Sequence, residues 1–498
     1  MTLVPGASRA RAGELSDDLA ARRARVMERL GPDAMLILWS APTRTYSLDI
    51  DYEYRQDSNL YYLTALAQED TVLVLLSGSP SPREFLFVKE KDPTKEHWYG
   101  RVVSTAEASA STGIRTVMTT AQFDAFVDAA LARHEASKVA LLLDPPPAPA
   151  TGLAGAPAPA EPSAPTRATE FARRLKDRFA AVHAVDATPI LADLRTVKTP
   201  YERTLLVKGL DISSDAQKVG MRAARPGAYE YEVKAAIEGA YRGRGAVSWA
   251  YPSIVGSGPN ATILHYPDSD RQMQAGDLLL VDAAANYQYM AGDITRTYPV
   301  SGRYTPAQKD IYAIVLQAQN EAMQIARPGS SLMAIHDKTV EVIKAGLLRL
   351  GLITDSSGDQ YKMWYTHSST HYIGVDVHDV GDRNRALQAG MAFTIEPGIY
   401  IRQSALDALP HTPENQAVIA RIQPAVNKYL NIGVRVEDSF LLDDSGLRRL
   451  SAAVPRTIDE IEAFLRKKSG SSPTPRLVGP DTTLRQHVAS GLSRTEKR

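Results

Sequence analysis

The feature that most constrains this chain is that its C-terminal half repeats itself. Thr199-Pro200-Tyr201-Glu202 opens a predicted helix that ends near Ala224-Arg225-Pro226-Gly227. Thr305-Pro306-Ala307-Gln308 opens a second that ends near Ala326-Arg327-Pro328-Gly329. Both openings are capping boxes: threonine accepts from the first-turn amides, proline takes the first helical position, and Glu or Gln reaches back from the third. Gln274-Ala275-Gly276 then precedes LLLV and Asp282, while Gln388-Ala389-Gly390 precedes AFTI and Glu396, each acid at the same distance after its glycine. A histidine precedes each of these glycine turns, His265 in the first copy and His378 in the second. An ordered series of this kind predicts two αα-β halves that donate acids to one shared centre.

The acids themselves lie in four segments: VDAAANYQYMAGDITRT (281–297), THYIGVDVHDVG (370–381), TIEPGIY (394–400) and GVRVEDS (433–439). Each sets an Asp, Glu or His at the end of a short apolar run of strand character. Any one of them alone reads more readily as a turn or strand-end residue in solvent, because buried carboxylates are rare unless paired or bound to metal. The set resists that reading. Asp282, Asp293, Glu396 and Glu437, with His371, form one costly cluster of like charge that two divalent cations would neutralise. Four carboxylates and an imidazole are mostly hard ligands, which favours Mn²⁺, with Co²⁺ or Zn²⁺ as alternatives.

Length and charge bound the remainder. A chain of 498 residues exceeds one typical core, so two domains are expected. Lys and Arg together number 57 and so do Asp and Glu, and this balance argues against nucleic acid or an anionic membrane as partner. No apolar stretch approaches the ~18 residues of a spanning helix. The first thirty residues carry charge without an apolar run, so no secretory signal is expected. The absence of cysteine excludes disulfides and Cys-ligated zinc. Cytoplasmic is the default location.

Residues 14–30 carry a helical pattern, and 33–41, 70–78 and 83–91 read as strands, giving an α/β domain over 1–195. Within it, the Pro/Ala-rich stretch 144–168 cannot form a packed core and reads as an exposed loop. The catalytic domain is expected over 196–466, followed by a flexible tail over 467–498.

These segments resemble the pita-bread metallopeptidases, and within them the aminopeptidase P (Xaa-Pro aminopeptidase) and prolidase branch. Residues 281–297 resemble that branch's first ligand hairpin, HYIGVDVHDVG its histidine strand, and EPGIY and GVRVED its two glutamate motifs. Upstream, YRQDSNLYYLTAL (54–66) resembles the substrate-side motif of the N-terminal domain, and EHWYGR (96–101) a segment whose aromatic lies near the active site. The resemblance implies an N-terminal α/β domain followed by a pita-bread domain with an internal pseudo-two-fold repeat. It implies a dinuclear site held by Asp282, Asp293, His371, Glu396 and Glu437, with Asp293 and Glu437 bridging. By the same resemblance Glu396 is also the general base. His265, His367, His378 and Tyr400 face substrate, with His265 and His378 hydrogen-bonding the tetrahedral intermediate. Arg435 steadies the ligands by pairing with an acid or with Tyr400.

Local detail tempers four of these positions. His371 and His378 are seven apart and fall on opposite faces of a flat strand unless the chain bends. His367 is followed by Ser368 where the family pattern has glycine. Trp98 reads as core packing before it reads as a gate. Residues 403–428 look like a surface insertion that narrows access.

The resemblance implies cleavage of the N-terminal Xaa-Pro bond of peptides with proline at the second position, in a homodimer or homotetramer. The YRQDSNLYYLTAL segment is expected to approach the catalytic mouth of its own or a neighbouring chain. Two other readings compete. A prolidase would take the dipeptide, and a non-catalytic binding relative would have little reason to keep every ligand. Methionine aminopeptidases share the ligand set but usually lack so large an N-terminal domain.

Overall fold

The computed structural model describes residues 7–78, 83–144 and 166–467. Most of the Pro/Ala-rich stretch and the predicted tail beyond Lys467 lie outside these residues. The chain divides into two compact units, Met1–Arg195 and Thr196–Arg498.

The first unit is built on a six-stranded mixed sheet in the order Thr116–Thr119, Arg83–Val88, Val72–Ser77, Ala34–Trp39, Lys138–Leu141, His183–Asp186. Its two central strands, AMLILW and VLVLLS, pair antiparallel and are apolar at nearly every position, as expected of strands covered on both faces. Alternation sends Met35, Ile37, Val72, Val74 and Leu76 to one face, where Phe123, Val127 and Leu131 complete the core. Under the other face lies Arg23, fully buried, which donates to the carbonyls of Leu63 (2.9 Å) and Thr112 (3.1 Å) and pairs with Glu84 at 3.0 Å. The YRQDSNLYYLTAL segment folds as the helix Ser58–Thr64, capped by Asp57, whose carboxylate accepts from the amides of Asn59 and Leu60. Trp98 is 75% exposed, so its expected place in a core is corrected: it stands on the surface of the short helix Pro93–Tyr99.

In the second unit the repeat becomes visible as geometry. Helix Pro200–Ala223 starts at Thr199 and helix Pro306–Ile325 at Thr305, each through a complete capping box. Helices Glu230–Gly243 and Leu332–Arg349 follow them. The turns match as well: Gly227 and Gly329 have φ +84° and +87°, and Gly276 and Gly390 have φ +94° and +93°, conformations that favour glycine. The Gly227 amide donates to Met273 O at 2.8 Å and the Gly329 amide to Leu387 O at 2.9 Å, so each helix-end glycine holds the residue before its Gln-Ala-Gly turn.

Two three-stranded antiparallel sheets follow from those turns. One comprises Ile254–Ser257, Leu278–Asp282 and Thr295–Pro299, the other Ala392–Ile395, Asp438–Asp443 and Gly446–Arg449. Residues 403–428 form two helices, Gln403–Asp407 and most of Pro413–Tyr429, and the second buries Ile422, Val426 and Tyr429 against the unit. The segment 370–381, expected as a strand, is instead a tight bend closed by a bridge between Tyr372 and Asp379.

Arg296 ties the halves together. Fully buried, it donates to Glu437 O at 2.5 Å and Pro455 O at 2.9 Å and pairs with the equally buried Asp438 at 2.7 Å. Removing one member of a buried pair strands the other's charge. Arg296→Met is therefore expected to lower unfolding stability by about 3–5 kcal/mol, read by denaturant titration. A loss below about 1 kcal/mol, the usual worth of a surface pair, would contradict this account.

Candidate metal centre

The five expected ligands come from both halves of the repeat. Asp282 ends one strand, and Asp293 lies beside it because the chain makes a hairpin excursion between Ala283 and Ile294, whose backbones pair at 3.1 Å. The hairpin turns at Gln288 and Tyr289, both at positive φ (49° and 65°), a turn that usually carries Asn-Gly. In the second half Glu396 follows the strand Ala392–Ile395, and Glu437 lies between Gly433–Arg435 and Asp438–Asp443. His371 is laid against the first of these strands, its amide donating to Thr394 Oγ1 and its carbonyl accepting from the Thr394 amide.

Two buried glutamines hold this arrangement, and nothing in the sequence flagged them. Gln217 Nε2 donates to Ala283 O (3.0 Å) and Ile294 O (2.8 Å), the carbonyls next to Asp282 and Asp293. Gln319 Nε2 donates to Ile395 O (2.9 Å) and Val436 O (3.2 Å), those next to Glu396 and Glu437. Each long helix thus clamps one pair of acid-bearing strands.

The acids converge on His371. Its Nε2 lies 3.3 Å from Asp293 Oδ2, 3.3 Å from Glu396 Oε1 and 4.0 Å from Glu437 Oε1. Asp293, His371 and Glu437 each bring a ligand atom to within 4.8 Å of the other two. His371 Nδ1 is 3.0 Å from Tyr372 O and must carry its proton there. Nε2 therefore either holds a second proton or offers a lone pair to a cation.

Asp282 is gripped from behind. Arg435, 4% exposed and so not a solvent-facing strand cation, donates to Asp282 Oδ2 at 2.5 Å, Tyr400 Oη at 2.8 Å and Thr295 Oγ1 at 3.1 Å. The pairings expected with an acid and with Tyr400 are both present. Arg435 acts by orienting these neighbours. Tyr400 Oη, having accepted from Arg435, donates to His367 Nε2 at 2.8 Å, and His367 Nδ1 donates to Ser368 O at 2.8 Å. His367 and Tyr400, both expected to face substrate, are joined in this relay, and His367 Nδ1 lies 3.7 Å from Glu396 Oε2.

The other two histidines stand forward. His378 and His265 are exposed. The bend between Tyr372 and Asp379 returns His378 to His371, ring centroids 4.4 Å apart and edge to face, so the opposite-face expectation for a flat strand does not hold. Burial, then the charges of His371 and, more weakly, His265, hold His378 below the usual imidazole range and favour its neutral form.

Tyr251 is the residue that sequence reasoning missed. Its hydroxyl lies 2.5 Å from Asp282 Oδ1 and 2.6 Å from Asp293 Oδ1. One hydroxyl proton cannot serve both, so without a cation one carboxyl must be protonated. The titration behaviour agrees. Burial, reinforced by the Asp282 charge, lifts Asp293 to about 6. Burial, with the charges of Asp293 and Glu396, holds Glu437 well above the carboxylate range. Glu437 Oε1 is buried and has no hydrogen-bond partner. Burial opposes charge on His371 as well, but hydrogen bonds to Asp293 and Glu396 outweigh it and raise the ring to about 10. Burial would also raise Glu396; the contact with His371 prevails and brings it to about 2. Excess acid, a partnerless oxygen and a shared hydroxyl proton all fit divalent cations.

Comparison with known proteins gives a consistent picture. Residues 205–444 match metallopeptidase family M24 and residues 19–140 match the aminopeptidase P N-terminal domain. The Xaa-Pro aminopeptidase of Escherichia coli K12 is 32% identical over 461 residues, covering 89% of this chain and 96% of that protein. Xaa-Pro aminopeptidase 3 of Mus musculus is 31% identical over 448 residues, covering 88% and 82%. The structure of E. coli aminopeptidase P with the inhibitor Pro-Leu superposes with a TM-score of 0.76 at 30% identity, covering 92% of this chain and 99% of that one. Proline aminopeptidase P II from Yersinia pestis gives a TM-score of 0.75, also at 30%, covering 91% and 99%. The mixed α/β architecture, with an N-terminal domain before a pita-bread catalytic domain, is the one these structures share.

The raised groups set the sign of a pH dependence for the metal-free protein. Asp293 binds its proton more tightly folded than unfolded, so its contribution is lost as pH rises from the unfolded value to about 6. His371 contributes fully below its unfolded value near 6.5 and loses that contribution as pH climbs through about 10. Both slopes run the same way. Thermal melting in chelator is expected to fall between pH 6.5 and pH 9, and added Mn²⁺ should raise the midpoint most at the higher pH, where the cation displaces fewer protons. A metal-free protein that melts higher at pH 9 than at pH 6.5 would contradict this assignment.

Proposed function

We propose a catalytic function on this premise: the chain belongs to the aminopeptidase P family of metallopeptidases. It hydrolyses the N-terminal Xaa-Pro bond of peptides. The observation that carries the reading is that Asp293, His371 and Glu437 bring ligand atoms within 4.8 Å of one another, with Glu396 3.3 Å from His371, Asp282 sharing the Tyr251 hydroxyl with Asp293, and Glu437 Oε1 lacking a hydrogen-bond partner. The match of residues 19–140 to the aminopeptidase P N-terminal domain favours peptides over the dipeptide of a prolidase. A complete and electrostatically costly ligand set speaks against a non-catalytic binding role.

Those five side chains would hold two divalent ions. The oxygen-rich set suits Mn²⁺, with Co²⁺ or Zn²⁺ as substitutes. The chemistry supplied at such a site would be Lewis acidity toward the scissile carbonyl and a lowered pKa for water. The chain's own groups do the rest. The ionised Glu396 carboxylate takes the proton of the attacking water. His378 and His265, on the open side, donate hydrogen bonds to the carbonyl oxygen as it gains charge, and the proton that Glu396 took from water is relayed to the departing prolyl nitrogen, which restores the Glu396 carboxylate. Arg435, Tyr400 and His367 keep Asp282 and Glu396 aimed from behind, and Tyr251 does so from the side. An Xaa-Pro bond has no N–H to donate, so a site that recognises the pyrrolidine ring and the free α-amine gains a target that ordinary peptidases handle poorly.

The first unit exposes Tyr46, Leu48 and Ile50 on its small hairpin and Trp98 and Tyr99 on the helix Pro93–Tyr99. Clusters of this kind support self-association, and a homodimer or homotetramer is the expected form.

Glu396→Gln keeps the shape and removes the base, so kcat should fall by at least ~10²–10⁴-fold; normal turnover at unchanged metal content would refute the role. For substrate, kcat/KM should rank the peptide Xaa-Pro-Xaa above the dipeptide Xaa-Pro, with the N-acetylated peptide poorest. Preference for the dipeptide would move the assignment to prolidase, and efficient cleavage of the acetylated peptide would exclude aminopeptidase action.

A further inference from the structure

His378 is exposed, lies in no helix or strand, and must nonetheless present its ring at a fixed place beside His371. What holds it is next to it in sequence. Asp379 forms an ion pair with Lys198 at 2.9 Å, and both side chains are 1% exposed. Lys198 sits in the segment entering the helix Pro200–Ala223, and its amide donates to Gly390 O at 2.8 Å, on the glycine turn that leads to Glu396. Asp379 Oδ1 accepts from the Val380 amide at 3.0 Å. The Asp379 amide donates to Tyr372 O at 2.8 Å, the same carbonyl that takes the His371 Nδ1 proton at 3.0 Å.

Gly374 leaves room for this arrangement. A Cβ there would overlap Asp379 Oδ2 and the Lys198 ammonium. The Gly374 carbonyl accepts from the Ala291 amide at 2.7 Å, which ties the same bend to the hairpin between Asp282 and Asp293.

We infer that the buried Lys198–Asp379 pair positions His378 for the reaction, setting its ring against His371 and toward substrate. A charged pair is costly to bury and gives no more stability than well-packed apolar side chains would, so its directional value is the physical reason to have it. Two carboxylate oxygens fix one turn from two sides, which no apolar residue can do. The ammonium reaches them from a rigid helix entrance, where Thr199 supplies the cap.

This rests on the reading that His378 contacts the reacting substrate, and a double-mutant cycle keeps the two apart. The holoenzyme is assayed as wild type, Asp379→Ala, Asp379→Asn, His378→Ala and Asp379→Ala/His378→Ala, with metal content and crystal structures of the single variants. Misplacement by about 1 Å costs up to ~10²-fold in rate. Asp379→Ala should therefore lower kcat by about 10- to 100-fold with KM changed by less than about threefold and with both metals retained. Asn offers one acceptor oxygen where Asp offers two, so it can keep the bond to Lys198 or to Val380 but not both, and Asp379→Asn should fall between the wild type and Asp379→Ala. In the His378→Ala background Asp379→Ala should add less than about twofold, and the crystal structure of the Asp379→Ala single variant should show the ring of His378 moved from its place 4.4 Å from His371.

If Asp379→Ala does not fold, Lys198→Met/Asp379→Leu, which removes both charges of the pair, takes its place in the same cycle. A costly His378→Ala beside a harmless Asp379→Ala overturns the positioning role alone. A loss of equal size in both backgrounds overturns it too, since a general structural defect would behave that way. A fully active His378→Ala overturns the catalytic reading of His378 and the positioning role with it.

Discussion

Everything in the second unit answers to one constraint: four carboxylates are brought together in a place largely closed to water. Asp282, Asp293 and Glu437 are each less than a tenth exposed. Against them the chain supplies one guanidinium, Arg435, one imidazole that accepts a second proton, His371, and the hydroxyls of Tyr251 and Thr295. Charge of that excess would protonate the acids or push their strands apart. The upward displacement of Asp293 and Glu437 is the first response, and the binding of divalent cations is the second. In the metal-free protein His371 carries the proton that stands in for a cation, which is why raising the pH and adding metal act on the same group.

The duplication is the mechanical solution to that repulsion. Each half contributes two of the acids, carried on strands that one helix clamps through a buried glutamine, Gln217 in the first half and Gln319 in the second. A neutral amide suits this task because its two hydrogens reach two carbonyls without adding charge beside the acids. The capping boxes at Thr199 and Thr305 and the positive-φ glycines fix where each helix begins and where each strand starts, so the clamp and the acid stay in register. Arg296 then crosses from one half to the other, joining the first sheet to the backbone of Glu437 and the carboxylate of Asp438.

How much of this was legible in sequence depended on how far the physical cause lay along the chain. The caps, the glycine turns and the apolar runs ending in acids are local, and each carries its explanation within a few residues. The four acids could be read as a set because the repeat ordered them. Tyr251 was not legible, since a tyrosine thirty-one residues from Asp282 and forty-two from Asp293 carries no mark of the two carboxylates its hydroxyl serves. Gln217 and Gln319 likewise act on carbonyls, and a carbonyl has no sequence signature. The relation of His371 to His378 turned on whether the chain bends between them, which the seven-residue spacing leaves open. The chain reverses around Gly374, and the reason is the ion pair to Lys198, 181 residues away. The hydrogen bonds that join His367 and Tyr400 to Ser368 and Arg435 are likewise plain only in three dimensions.

Exposure then separates the two kinds of work in the site. Groups that must keep a fixed charge or hold a cation are sunk and braced: Glu437 is 1% exposed and Arg435 4%. Groups proposed to meet substrate, His378 and His265, stand at the surface, where their rings are open to what enters. An exposed side chain has rotamer freedom to lose, and catalysis that depends on its orientation needs that freedom removed beforehand. Bracing the ring directly would bury it and remove its access. Bracing the next residue does not, because Asp379 faces inward while His378 faces out on the same bend. The buried pair therefore lets one short segment serve both demands: rigid in its backbone, open at its ring.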